Sequence, residues 1–239
     1  MSGMTSEKSD LRPIGIIHSP FKEKFGIPRQ PGLVPEVKCI LELLPPYSVP
    51  EAVSGLEDYS HVWIQFLFHQ SNRGQWQPMV RPPRLGGNQK VGVFASRSPF
   101  RPNPIGLSVV KLERVSVDNG RVELHLAGGD MVDGTPVLDI KPYVAYSDSI
   151  PDAVSGFAPQ APEEKLQVRF SETAEQQLAS HGDTEALTVL ITGLLALDPR
   201  PAYTEDDRER VYGMRLYDFD LRWRVQEGCA VVVSLDSSS

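Results

Sequence analysis

The sequence predicts a mainly β fold: a seven-stranded, β-barrel-like N-terminal domain followed by a small α+β C-terminal domain. Three observations lead there. Twenty-one prolines and nineteen glycines among 239 residues favour short strands and tight turns over a helical bundle. Seven short apolar runs, at 14–18, 36–44, 61–69, 90–95, 107–117, 121–127 and 135–140, are separated by turn residues, the pattern of a sandwich or barrel. After a Pro-, Ala-, Ser- and Gly-rich linker at 151–162, the pattern turns helical and then returns to strand.

Each element has its own reason. Residues 1–10 and 237–239 are polar and read as disordered ends, which puts the barrel at 11–159 and the C-terminal unit at 160–236. In 61–69, Val62, Ile64, Phe66 and Phe68 alternate with Trp63, Gln65, Leu67 and His69, a period of two. Asp118-Asn119-Gly120 between two alternating runs predicts a hairpin, because Asn-Gly takes the positive φ of a type I′ turn. A helical turn is expected at 51–56. The connection 69–90 is long and rich in Arg, Pro and Gly, as functional or mobile loops are. Beyond the linker, a short strand ends at Phe170, and Ser171 caps a helix over 172–180 that His181-Gly182 stops. A second helix over 184–197 ends at Asp198-Pro199, and 212–225 alternates before Glu227-Gly228 turns into 229–235.

Composition excludes several classes. No apolar run reaches the roughly 18–20 residues that span a bilayer, and the polar first residues show no signal-peptide core, so a cytoplasmic protein is expected. Cys39 and Cys229 lie far apart in apolar runs without metal spacing, which reads as buried, reduced thiols. A net charge of −7 argues against non-specific nucleic-acid binding. From His69 to Arg114, however, Arg73, Arg81, Arg84, Lys90, Arg97, Arg101, Lys111 and Arg114 face Glu113 alone, and such a basic patch suits a partner touching one face.

The most informative stretch is 84–106, RLGGNQKVGVFASRSPFRPNPIG. Pro99, Pro102 and Pro104 each set one φ and push Ser98, Arg101 and Asn103 toward extended backbone, so this is an ordered loop holding arginines, an asparagine and serines. Ordered loops of that composition bind ligands. There is no GxGxxG after a first strand, no phosphate-binding Walker loop, no HExxH or paired-Cys motif, and no nucleophile elbow. What remains is a set of stiff polar loops: 28–32, His69-Gln70, 97–106, and 133–136 leading into 139–143.

Together PRQPGLV, DYSHVWIQFLFH, RPPRLGG, VGVFASRSPFRPNPIG, DGTPVLDIKPY and DPRPAY resemble the TsaA/TrmO (YaeB-like) family, from about residue 14 to 235. That family consists of S-adenosylmethionine-dependent tRNA methyltransferases built on a β-barrel. The resemblance implies methylation of N6 of threonylcarbamoyladenosine at position 37, beside the anticodon, and a homodimer with each cofactor pocket near the interface. By the same resemblance Pro28, Arg29, Gln30, His69, Gln70, Arg97, Leu107, Asp133, Gly134, Thr135 and Pro136 contact the cofactor, Arg97 as a bidentate partner of its carboxylate. No metal is implied.

Methyl transfer from a sulfonium is an in-line displacement, so positioning supplies most of the rate, but the acceptor nitrogen must lose a proton. Asp139 and His69 are the candidates to take or relay it, with water as the alternative. Arg84, Arg101 and Lys141 are candidates to hold the threonyl carboxylate, with Tyr143 beside them. Arg200 and Tyr203 either face the anticodon stem-loop, where a tyrosine can stack on an unpaired base, or form a plain helix stop. A different acceptor, or a non-catalytic cofactor- or RNA-binding module, remains open.

Overall fold

The computed structural model describes residues 11–70, 75–163, 165–200 and 209–237. In chain order the strands are β1 (Gly15–His18), β2 (Lys38–Leu43), β3 (His61–Leu67), β4 (Met79–Val80), β5 (Val91–Gly92), β6 (Ile105–Asp118), β7 (Arg121–Ala127), β8 (Thr135–Pro142), β9 (Gln167–Phe170), β10 (Tyr212–Leu216), β11 (Phe219–Gln226) and β12 (Cys229–Ser237). The α-helices are α1 (Ala145–Asp148), α2 (Glu172–Ala179) and α3 (Thr184–Ala196).

Six strands close a barrel in the order β1-β2-β7-β6-β3-β8, every neighbouring pair antiparallel. Closure removes free sheet edges, and alternate residues fill the interior: Ile17, Leu41, Val62, Ile64, Val122, Leu124 and Val137 are fully buried. Each such side chain stabilises the fold by roughly 1.5–3 kcal/mol. The β6–β7 hairpin turns at Asn119-Gly120 with φ of 49° and 79°, the type I′ geometry expected of that pair.

The expected seventh barrel strand, 90–95, does not join. Only Val91–Gly92 is extended, pairing with Met79–Val80, and a 3-10 turn follows at Val93–Ala95. The Ser96 N–H and hydroxyl both donate to the Val93 carbonyl, at 3.2 and 2.9 Å, and end the run. The helical turn expected at 51–56 is two 3-10 turns, Pro50–Val53 and Leu56–Asp58. Ser237, read as part of a tail, closes β12 opposite Phe219, and Cys229 is half-buried rather than buried.

In the C-terminal unit β10-β11-β12-β9 form a sheet, with β9 parallel to β12. Ser171 and Asp183 cap α2 and α3 by accepting from the Ala174 and Ala186 N–H groups. The expected continuous run 212–225 is two strands broken at Tyr217, whose φ is 52°. Phe219, Leu221, Trp223 and Val225 are buried, as their alternation predicts.

The two units share one core, and the β1–β2 connection (19–37) lies between them. Phe21 bridges to Leu216, the Tyr217 N–H donates to the Pro20 carbonyl at 2.7 Å, and Phe25 stacks on Trp223 with centroids 5.9 Å apart. Gly26, at φ 88°, leaves no room for a side chain, since a Cβ there would lie 2.5 Å from the Met214 sulfur. The C-terminal unit thus holds in place the connection that carries Pro28, Arg29 and Gln30.

Candidate active site

Strand directions decide where the loops meet. Because the barrel is antiparallel throughout, connections 19–37, 68–104 and 128–134 all leave it at one rim. Those three segments hold most of the sequence-predicted cofactor residues. The structure links them directly. An Arg97 guanidinium N–H donates to Gln30 Oε1 at 2.5 Å, and Lys24 Nζ donates to the Gln70 carbonyl. Arg29 is exposed at this rim and Pro28 buried beneath it. His69 has its pKa lowered, chiefly by burial and also by the Lys24 charge, so its imidazole is neutral at pH 7.

Asp133, Gly134 and Thr135 act mainly as rim joints. Asp133 Oδ1 accepts from the Ser19 N–H at 2.9 Å and Oδ2 from Lys22 Nζ at 2.8 Å, while its own N–H donates to Phe21. The Gly134 N–H donates to Ile17, and the Thr135 hydroxyl to Val132 at 2.6 Å. Pro136, the second residue of β8, stands opposite Ile16. These bonds lock connections 19–37 and 128–134 together.

Other candidates lie apart. Gln65 of β3 is paired with Leu107 on one side and Asp139 on the other, so all three face outward on the barrel wall, where Leu107 is 50 % exposed. Asp139 forms an ion pair with Lys141 at 2.9 Å. Tyr143 sits toward the opposite rim, its ring against Trp63 and His61. No hydrogen bond or ion pair among the described residues ties this wall to the Arg97–Gln30 pair.

The cations expected to hold a carboxylate, and Arg200 expected to face the RNA, are partly engaged. Arg101 folds back to donate to the carbonyls of Ser96 at 2.7 Å and Val93 at 3.3 Å, and lies over Phe94, so it braces its own loop. Arg84 donates to the Gln160 carbonyl. Arg200 is bound by both oxygens of Asp198, at 2.8 and 3.0 Å. Tyr203 lies outside the described residues.

Sequence reasoning passed over Asp130. It follows Gly128-Gly129, a turn pressed so closely on its neighbours that a Cβ at Gly129 would lie 2.7 Å from Cys39 Sγ. Ser108, buried on β6, donates to Asp130 Oδ1 at 2.6 Å. Burial pushes the Asp130 carboxyl up to about 6, opposed by that hydrogen bond, by its own backbone N–H and by the charge of Arg97. Cys39, beneath it, is lifted to about 12 by burial and by Asp130 and Asp133, and is an inert thiol. The rim therefore combines a guanidinium, a neutral imidazole, an amide and a carboxyl poised near neutrality. That set can hold a zwitterionic ligand and move a proton. Among the described residues no cluster of side chains could hold a metal ion, and no helix is long and apolar enough to cross a membrane.

The tRNA-methyltransferase O N-terminal domain model matches residues 16–149, and the TrmO C-terminal domain model matches 163–238. The Escherichia coli K12 protein named tRNA (adenine(37)-N6)-methyltransferase is 49 % identical over 225 residues, covering 93 % of this chain and 96 % of that protein. The human protein of the same name is 47 % identical over 139 residues, 57 % of this chain and 30 % of its own length. A Pseudomonas aeruginosa protein named as an S-adenosylmethionine-dependent methyltransferase is 52 % identical over 215 residues, covering 89 % of this chain and 91 % of that one. A crystal structure of TrmO from Pseudomonas aeruginosa superposes with a TM-score of 0.79 at 42 % identity, covering 99 % of both chains. This chain belongs to the tRNA-methyltransferase O family.

Proposed function

We propose that this protein transfers a methyl group from S-adenosylmethionine to N6 of threonylcarbamoyladenosine at position 37 of tRNA, giving the N6-methylated nucleoside. The observation that carries this reading is the rim cluster, where three connections distant in sequence bring Gln30, Arg97 and Asp130 together. The relatives' names supply adenine 37 as acceptor and S-adenosylmethionine as donor.

The rim fits that donor. Arg97 offers its guanidinium to the donor's carboxylate, with Gln30 orienting it. Arg29, His69 and Gln70 stand on the same two connections, and the Asp133 joint fixes one of these connections to Ser19 and Lys22. The bound donor supplies an electrophilic methyl group; the protein's task is to align the acceptor with it and accept a proton. Arg97→Ala is expected to weaken donor binding by roughly 10- to 100-fold, the scale of a lost charge-assisted hydrogen bond. Isothermal titration with S-adenosylmethionine checks this, and unchanged affinity removes Arg97 from the site.

The active form is proposed to be a cytoplasmic homodimer. Leu107 at 50 % and Tyr146 at 93 % exposure line one hollow on the barrel wall that a second copy would cover. Such a partner would carry Leu107, Asp139 and Lys141 to a pocket edge.

Labelled donor offered to tRNA with and without the threonylcarbamoyl group tests the reaction. Label on the modified tRNA alone is expected. Label on both moves the acceptor determinant to the tRNA itself, and label on neither, with donor still bound, refutes the assignment.

A further inference from the structure

We infer that Asp130, held by Ser108 at the rim, is the proton acceptor of the methyl transfer. This rests on the methyltransferase reading above, though not on which adenosine is the acceptor. Asp139 and His69, the sequence-level candidates, fit less well. Asp139 is committed to Lys141 on the outer wall, and His69 stands exposed just past the end of β3, where bulk water competes for the same proton.

The geometry around Asp130 is specific. Gly128, at φ 74°, accepts at its carbonyl from the Gly32 N–H at 2.8 Å and donates its own N–H to the Val37 carbonyl. Those bonds anchor the 128–130 turn to the connection that bears Gln30. Ser108 takes only Oδ1, and no described side chain donates to Oδ2. The charged or titratable groups coupled to the carboxyl are Arg97 from the long connection and Cys39 from β2, and Asp133 from its own segment acts on the same thiol. The Ser108 hydrogen bond, the carboxyl's own backbone N–H and, least of the three, the charge of Arg97 favour the ionised form against burial. A carboxylate lifted toward neutrality is a stronger base than a solvated one, while remaining mostly ionised above its pKa.

The step balances. The N6–H bond gives its proton to Asp130 Oδ2, and the electron pair left on N6 forms the bond to the methyl carbon. The donor's C–S bond breaks, its pair passing to sulfur, and the neutral carboxyl then releases its proton to water.

The test compares wild type with Asp130→Asn and Ser108→Ala on whichever tRNA the wild type methylates, so an error in the acceptor's identity shows separately in the wild-type control. Asp130→Asn is expected to lower the single-turnover rate by roughly 100-fold or more while binding S-adenosylmethionine within about threefold of wild type. Ser108→Ala removes a hydrogen bond that lowers the carboxyl's pKa, so the acid limb of its pH–rate profile should move to higher pH. A readout independent of turnover is the carboxyl itself: its 13C resonance should titrate near pH 6 in wild type and higher in Ser108→Ala. Asp130→Asn with near-wild-type turnover overturns the inference. So does a rate loss explained wholly by lost donor binding, or an acid limb that Ser108→Ala leaves in place.

Discussion

Ser108 donates to Asp130 at 2.6 Å, yet burial still lifts that carboxyl from 3.8 to about 6. In the unfolded chain the same group ionises near its ordinary value. Between those two pH values the folded state holds a proton that the unfolded state has lost, so stability falls as pH rises through the window and stays lower above it. The cost is on the order of 3 kcal/mol at neutral pH, a stability sacrificed at a site that chemistry uses. Asp130→Asn removes the buried charge and should therefore raise Tm at pH 7.5 while changing it little at pH 4, where the native carboxyl is already neutral. Thermal melts at the two pH values check this; a lower Tm at pH 7.5 would show the carboxylate to be stabilising. Little of this is legible in the sequence. An aspartate after two glycines reads as a turn residue, and its partner Ser108 stands 22 positions away.

At the scale of elements, two glycines show how packing selects residues that propensity alone would not. A Cβ on Gly106 would fall 2.2 Å from the Phe66 ring, whereas one on Gly213 meets nothing nearer than 3.8 Å. Gly106→Ala should destabilise by about 1–3 kcal/mol through overpacking at the start of β6, and Gly213→Ala should be neutral or slightly stabilising. Urea denaturation of both variants makes the comparison, and equal effects would mean that Phe66 yields freely. Elements governed by local chemistry were readable from sequence: the Asn119-Gly120 hairpin, the Ser171 cap and the alternation of β11. Tyr217 was not, because nothing about a tyrosine announces a left-handed turn; a hydrogen bond from its N–H to Pro20, almost two hundred residues earlier, accompanies it. The run 90–95 has strand composition, but the barrel closes without it, and closure depends on the register of all its strands together. The candidate site was legible as a set of loops and not as a constellation, since only the barrel's topology puts 19–37, 68–104 and 128–134 at one rim.

For the molecule as a whole, the question is how a chain of net charge −7 engages a polyanion. We propose that the answer lies in where its cations stand. Val80 of β4 pairs with Val91 of β5, which sets Arg81 and Lys90 side by side just past the pair, with Arg84 on the 3-10 turn between them. Gly86 and Gly87, at φ 68° and 74°, have open space around them and let the tip turn tightly. The result is a basic hairpin on the same connection that carries Arg97, with Arg84 turned to the Gln160 carbonyl and Arg81 and Lys90 at its base. On a chain of net charge −7, a local cluster of cations would orient RNA as well as attract it. Each phosphate it contacts releases counterions, so tRNA affinity should fall steeply with salt. Arg81→Glu with Lys90→Glu is then expected to raise KM for tRNA and to flatten the log–log salt dependence by roughly 1.5 to 2, while leaving S-adenosylmethionine affinity unchanged. Filter binding at several salt concentrations, beside calorimetry with the donor, separates the two effects. A flattened slope with intact donor binding places the RNA backbone on this hairpin; an unchanged slope moves it to another face of the barrel.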